Sequence, residues 1–262
     1  ERSERAINPL LLKVVVPDAE ADMDFGIRIL KTIRIGRVSL AFTDSLWYAM
    51  WIAVFLILLA VVIHIRLRRM DPLKPPKGFM HLVEIAVEFV YKTTKDTMGI
   101  DSIGFASFYG GMLLYILLCN ISGMFVWFAP IENGVSIGFM RPPTADLAVT
   151  ASLALITFFM TQGFAIRAKG VGGWLKALTE PVVLLTPINV IGEFANPVSL
   201  SFRLLGNILA GTIIMGIYYA LLPMFAYLLS PFLHFYFDLF AGVLQSYIFV
   251  MLSMFYVGGA ME

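Results

Sequence analysis

A chain of 262 residues that is 59% hydrophobic and only 14% charged, with a formal net charge of +1 and a mean hydropathy of +0.84, is not a soluble domain, where about 25% of residues are charged. It reads as an all-α polytopic membrane protein. The balanced charge gives no ground for a nucleic-acid partner, the single Cys119 excludes an intrachain disulfide, and His64, His81 and His234 are too far apart to suggest a metal or cofactor site.

The chain starts at Glu1, which leaves residues upstream open, and residues 1–44 lack the long apolar core of a signal peptide. From Phe25 to Phe42 basic residues (Arg28, Lys31, Arg34, Arg37) alternate with apolar ones. A surface amphipathic segment and a solvated tail fit this equally. Thr43-Asp44-Ser45 offers an N-cap for the first apolar run, Leu46 to Ile65, which is long enough to cross a hydrocarbon core of about 30 Å. Trp47, Tyr48 and Trp51 suit an interfacial belt at one end. Arg66, Arg68, Arg69, Lys74 and Lys77 at the other make that end cytoplasmic and the N-terminus external.

Residues 66–101 then form a cytoplasmic loop. Pro72, Pro75 and Pro76 break the helix, and Leu82, Ile85, Val87, Phe89 and Val90 recur among Glu84, Glu88, Lys92 and Lys95, which predicts a surface amphipathic helix from Gly78 to Met98. A second span runs from Ile103 to Phe128 with Asn120 in its outer half, followed by an outer loop with Glu132 and Arg141-Pro-Pro143. A third, capped or entered by Thr144-Ala-Asp146, ends at Arg167 and Lys169. Asp146 at a helix start is also where the helix dipole favours a carboxylate. The basic, glycine-rich stretch Lys169–Lys176 reads as a flexible cytoplasmic loop.

Residues 181–258 read as a hairpin of two overlong helices. Ile188 to Leu222 is about 52 Å if helical, longer than the hydrocarbon is thick, so it must tilt strongly or bury itself against protein. After a turn near Pro223 to Pro231 a second helix runs to Val257. It carries Asp238 and Gln245, whose seven-residue spacing puts them on one face. The chain ends inside at Glu262 after five crossings, and residues 45–262 form one membrane domain.

Within the hairpin, Glu193 and Arg203 are the only Asp, Glu, Lys, Arg or His between Pro181 and Leu222. A snorkelling arginine at a membrane edge is the alternative to a functional one. About ten apolar or small residues on each side argue against it. On a helix Asn196, Ser199, Arg203, Asn207 and Ala210 share one stripe, flanked by Gly206 and Gly211. Such a small, polar face suits contact with protein or water rather than lipid. Arg203 lies about 24 residues before the turn and Asp238 about 11 after it, so the two differ in depth and do not pair in a simple hairpin.

The stretch Pro197-Val-Ser-Leu-Ser-Phe-Arg-Leu-Leu-Gly-Asn-Ile-Leu-Ala-Gly211 resembles the signature of subunit a of the F-type ATP synthase membrane sector, in its bacterial form. Pro143-Thr-Ala-Asp-Leu-Ala-Val-Thr150, Lys169-Gly-Val-Gly-Gly173 and Leu244-Gln-Ser-Tyr-Ile-Phe249 resemble further blocks of that family in the same order. The likeness covers Leu46 to Tyr256, and the arginine block is its most specific part.

The resemblance implies a non-catalytic stator in a bacterial plasma membrane, beside a rotating ring of c subunits and held by peripheral-stalk b subunits. Two offset half-channels would load and unload the ring carboxylates with a proton or, alternatively, sodium. Arg203 matches the family arginine that separates the half-channels and faces the ring. Asn207 and Gln245 match polar positions beside it, and Asn120, Thr144 and Asp146 match positions along the outer half-channel. Where many members carry an acid after Ala-Gly this chain has Thr212, and where those have histidine seven residues before the glutamine it has Asp238. The two differences suit a carboxylate moved to the neighbouring helix. Ala148 stands where the family often has asparagine. Depth assigns Asp238 to the outer path and Glu193, about 15 Å along the helix from Arg203, to the inner one. A self-contained secondary transporter or channel is the alternative, but no internal repeat is visible. An intramembrane enzyme would need a nucleophile and base or a metal set, and none appears.

Overall fold

The computed structural model describes residues 29–35, 38–71, 76–123, 131–132, 135–136, 142–180, 182–221 and 226–261. The first 28 residues, the prolines Pro72 and Pro75, Arg141, Pro223 where the sequence predicts a turn, and the terminal Glu262 lie outside them. Among the described residues five helices are long and apolar enough to cross a membrane, as the sequence predicts. They are accompanied by two antiparallel hairpins. Strands β1 (Ile29–Ile35) and β2 (Val38–Thr43) pair just before the first span, and β3 (Ile131–Glu132) and β4 (Val135–Ser136) pair between the second and third spans. Of the two expectations for that segment, a surface amphipathic segment or a solvated tail, the hairpin excludes an unstructured tail over Ile29–Ile35 and Val38–Thr43. Ile29, Thr32, Ile33, Ile35 and Val38 are β-branched and favour strand.

Helix α1 (Asp44–Arg68) is capped by Thr43, whose hydroxyl accepts the Leu46 N–H at 3.3 Å. Asp44 in its first turn and Arg66 and Arg68 in its last complement the helix dipole. Only Ser45 and Ala49 are buried along it. Apolar side chains such as Trp51, Phe55, Ile57 and Leu58 are exposed around it, which fits a lipid-facing span at the edge of the bundle.

Helix α2 (Phe79–Met98) matches the predicted amphipathic helix and ends at Gly99, whose φ of 66° gives the left-handed cap. It does not stand apart from the bundle. Val90 packs on Gly110 of α3 (Ile103–Ile121), and Met98 packs on Gly258. Helix α4 (Leu147–Thr179) starts from the Asp146 cap after a 3-10 turn at Pro143–Ala145, and continues past the predicted end at Lys169. The stretch Lys169–Lys176 is therefore helical rather than a loop. Its glycines act at one point only: Gly170, at φ 71°, breaks the helix and redirects Val171–Thr179.

Helix α5 (Thr186–Leu221) follows a 3-10 turn at Val183–Leu185 and carries Pro197 inside it. Its 36 residues make it about 54 Å long. The return strand of the hairpin is α6 (Ala226–His234), a π turn at Phe235–Phe240, and α7 (Ala241–Met261). Helix α7 is the centre of the bundle. Gly242, Gln245, Ser246, Phe249, Val250, Ser253, Met254, Val257 and Gly258 form an unbroken buried stripe at three- and four-residue spacing. Around it pack Met98 of α2, Tyr109, Met112 and Ile116 of α3, Leu153 and Ala154 of α4, and Leu200 and Leu204 of α5. In lipid, apolar burial alone does not drive helices together, so this close packing and the bonds between helices hold the bundle.

Candidate functional site

The two faces of α5 differ completely. Pro197, Leu200, Ser201, Leu204, Ile208, Gly211 and Met215 are buried against the bundle. On the other side Ser199, Arg203, Gly206 and Ala210 are exposed, with Asn196 and Asn207 half-buried at their edge. Arg203 forms no ion pair with the described residues. A guanidinium stays charged, so a permanent cation faces outward halfway along a spanning helix.

Two contacts fix how α5 runs against the return helices. Gly211 lies against Phe237, and Glu193, Asn196 and Pro197 share a cleft with Tyr256. The helices are thus antiparallel, and interpolation between these pairs puts Arg203 level with Ser246–Tyr247, within a turn of Gln245. The amide nitrogens of Asn207 and Gln245 are buried and lack a hydrogen-bond partner among the described residues. Leaving such a group unsatisfied costs about 1–3 kcal/mol. Asn207 is one turn from Arg203 along α5, and Gln245 lies at a similar level on α7.

Asn120, Thr144 and Asp146 come together where the end of α3 meets the start of α4. The Thr144 hydroxyl donates to Asn120 Oδ1 at 2.6 Å. Asn120 Nδ2 donates to the Gly242 carbonyl at 3.0 Å and to Ser246 Oγ at 2.8 Å, and Ser246 donates to Gly242 at 2.7 Å. Asn120, Thr144 and Ser246 are fully buried. Asp146 uses one carboxylate oxygen to cap α4 through the Ala148 N–H at 2.9 Å and the other to accept the Thr43 hydroxyl at 3.1 Å. Its role at the helix start is realised, and it also ties α1 to α4.

Asp238 sits in the π turn and pairs with His234 Nδ1 at 2.5 Å, both side chains about a quarter to a third exposed. An inserted π turn resets the helical phase, so the seven-residue spacing to Gln245 no longer fixes a shared face. Gln245 is buried while Asp238 is not. Thr212 is exposed on α5 beside the Gly211–Phe237 contact, its hydroxyl returned to the Ile208 carbonyl at 2.9 Å.

At the far end of α5, Glu193 accepts the Gln162 amide at 2.7 Å, and Gln162 accepts the Trp174 indole N–H at 2.8 Å. Glu193 lines a small cleft with Thr157, Thr161, Asn196 and Tyr256, with about 10 Å³ of free space, enough for about one water. Sequence reading overlooked His234, Gln162 and Trp174. The i, i+4 spacing of His234 and Asp238 signals the first pair, and a lone glutamine in an apolar span marks Gln162. Nothing local reveals Trp174, because its contact depends on the break at Gly170. Among the described residues no group of three or more His, Cys, Asp or Glu could hold a metal.

Residues 47–258 match the family model described as ATP synthase A chain. Over 161 residues the chain is 44% identical to the sodium ion specific ATP synthase subunit a of Propionigenium modestum, a match spanning 59% of this chain and 53% of that one. It is 34% identical over 192 residues to the chloroplastic ATP synthase subunit a of Stigeoclonium helveticum, covering 72% of this chain and 75% of the relative. With the ATP synthase subunit a of Chloroherpeton thalassium it shares 31% identity over 261 residues, 94% of this chain and 74% of the relative.

Proposed function

The chain belongs to the ATP synthase A chain family as subunit a of an F-type ATP synthase, a multi-pass membrane protein, and from that premise we propose that it is the non-catalytic stator across which ions reach a rotating c-ring. The observation that carries this reading is Arg203, which is exposed, without an ion pair among the described residues, and set among Ser199, Gly206 and Ala210. That small-residue face admits a ring helix closely. Each ring carboxylate arriving there meets a fixed positive charge in a poorly solvated interface, which favours its ion-free form. The carboxylate then gives its ion to one half-channel and collects another beyond the arginine.

In this reading the outer half-channel reaches Arg203 past Asp238 and Thr212, with Asn120, Thr144 and Asp146 as part of its wall. The inner one leaves past Glu193. Asn207 and Gln245 present their amide nitrogens to water or to the ring between the two. Residues 45–262 form the membrane domain, residues 1–44 stay outside, and the C-terminus is in the cytoplasm of a bacterial cell, with b subunits of the peripheral stalk as further partners.

A tilted hairpin is supported by α2. Its Glu84, Glu88, Lys92, Lys95 and Asp96 are all exposed, which demands a watery surface. Yet it runs in the same direction as α7, with Phe89 beside Tyr247 at 6.3 Å, Thr97 on Met251 at 3.7 Å and Met98 on Gly258. That half of α7 then lies along the interface rather than across it.

The transported ion is a proton in this proposal, with sodium as the competing reading because a relative is named sodium ion specific. ATP-driven pumping by the purified complex at fixed pH, with sodium varied, separates the two. Arg203→Ala in that complex is expected to assemble and to lose ion-driven ATP synthesis entirely. Normal synthesis by this variant overturns the assignment.

A further inference from the structure

The bonded series Trp174–Gln162–Glu193 is more than a helix staple. Gln162 and Trp174 are twelve residues apart, about 18 Å along an unbroken helix, yet their side chains touch at 2.8 Å. The break at Gly170, φ 71°, folds the arm Val171–Thr179 back alongside its own span. Asn189 then fastens the arm to α5, donating to the Leu178 and Glu180 carbonyls at 2.9 and 3.0 Å.

The direction of the series is forced by its chemistry. An indole nitrogen only donates, so the oxygen of the Gln162 amide must face Trp174. Its NH2 group is left to face Glu193, where it donates at 2.7 Å. With the indole in place the amide cannot flip without losing both bonds. Pro197 adds to the polarity there, because it has no N–H to offer the Glu193 carbonyl one turn back. Glu193 lines the cleft with Thr157, Thr161 and Asn196, and Thr157 continues to Ser253 of α7 at 2.9 Å. A purely structural staple is not needed at this level. Phe158 and Phe194 already join α4 to α5 at 5.3 Å, and Asn189 already holds the arm.

We propose that Gln162 and Trp174 are positioning residues of the cytoplasm-side ion path: Trp174, carried back on the arm beyond Gly170, sets the Gln162 amide, and that amide holds the Glu193 carboxylate at the small cleft between α4, α5 and α7. The proposal rests on the inner-path role of Glu193 and deepens it. The arm covers the cytoplasmic side of that path, so an ion passes it by way of one carboxylate in one orientation.

The test is ATP-driven ion uptake by inverted vesicles bearing the complete complex, with subunit content measured by immunoblot. Glu193→Gln lowers uptake. Gln162→Leu lowers it about tenfold, and Trp174→Phe, which keeps the ring and removes only the N–H, about threefold, both at normal subunit content. In the Glu193→Gln background neither second substitution lowers uptake further, because both act through that carboxylate. Equal losses in both backgrounds mean a structural role and overturn the proposal. So do normal rates for Trp174→Phe and Gln162→Leu when Glu193→Gln is slow, an outcome that leaves the inner path itself standing. Normal uptake by Glu193→Gln removes the inner path and the positioning role together.

Discussion

Two polar regions of the bundle are finished in opposite ways. Around Asn120 every donor is matched: Thr144, Ser246 and the Gly242 carbonyl close the set with bonds of 2.6–3.0 Å among fully buried groups. Around Arg203 the guanidinium has no anion among the described residues, and the amide nitrogens of Asn207 and Gln245 have no acceptor. A closed set contributes to holding helices α3, α4 and α7 together. An open one is stable only where water or another protein completes it. The difference separates what the chain does for itself from what it does for a partner, and it can be attacked from both sides.

The largest effect is expected at the open region. Arg203→Lys keeps the charge but loses the planar, permanently ionised fork; ion-driven ATP synthesis falls to near zero while the complex is recovered in normal amount. Full activity in the lysine variant would make a point charge sufficient. Asp238→Asn comes next, slowing passive ion flux through the membrane sector about tenfold or more in both directions. Adding Thr212→Glu, one residue past the Gly211–Phe237 contact, is expected to return part of that flux. Unchanged flux in the single variant moves the outer path elsewhere.

At the closed region the readout changes from coupling to assembly. Asn120→Ala removes three bonds at once, and since bonds between membrane helices contribute about 1–2 kcal/mol each at most, the yield of folded subunit after detergent challenge drops severalfold. The complex that survives couples at a reduced rate, because Asn120 also belongs to the wall of the proposed outer half-channel. A variant that assembles fully and only leaks or stalls would make the channel wall its main role, and the contrast between the two regions would fail.

The smallest effect lies outside the bundle, in the turn from α2 to α3. There Asp101 is held below its ordinary value of 3.8, first by its bond from Lys95 at 2.7 Å and then by the Tyr91 hydroxyl. A lowered folded-state value means that this contribution is present above pH 3.8 and is lost as pH falls through the depressed value. All three groups are exposed, so acid melting of the wild type and Asp101→Asn should differ only slightly, with the gap closing at the lowest pH.

The spans, the long hairpin and the arginine face were legible in the sequence because each depends on local pattern. Leu46–Ile65 is uniformly apolar, α2 repeats at helical spacing, and the small residues around Arg203 recur every three or four positions. What was hidden depends on backbone departures from that period. The π turn at Phe235–Phe240 shifts Asp238 out of phase with Gln245, and positive φ at Gly170 turns an apparent loop into an arm. Glycines mark where a break is allowed but not which way the chain leaves it. The Thr43–Asp146 bond spans 103 residues, and no local pattern encodes it.

Arg203 and Leu204 are consecutive, yet one is exposed and the other has no accessible surface at all. Under the proposed stator role this adjacency is a load path. A sideways pull on the guanidinium, as each ring carboxylate approaches and departs, passes through a single peptide unit into a side chain buried in the same core cluster as Leu200, Phe249 and Val250. Close-packed interiors yield little, so the arginine holds its place while the rotor moves, and the reaction torque is shed into the bundle instead of bending α5.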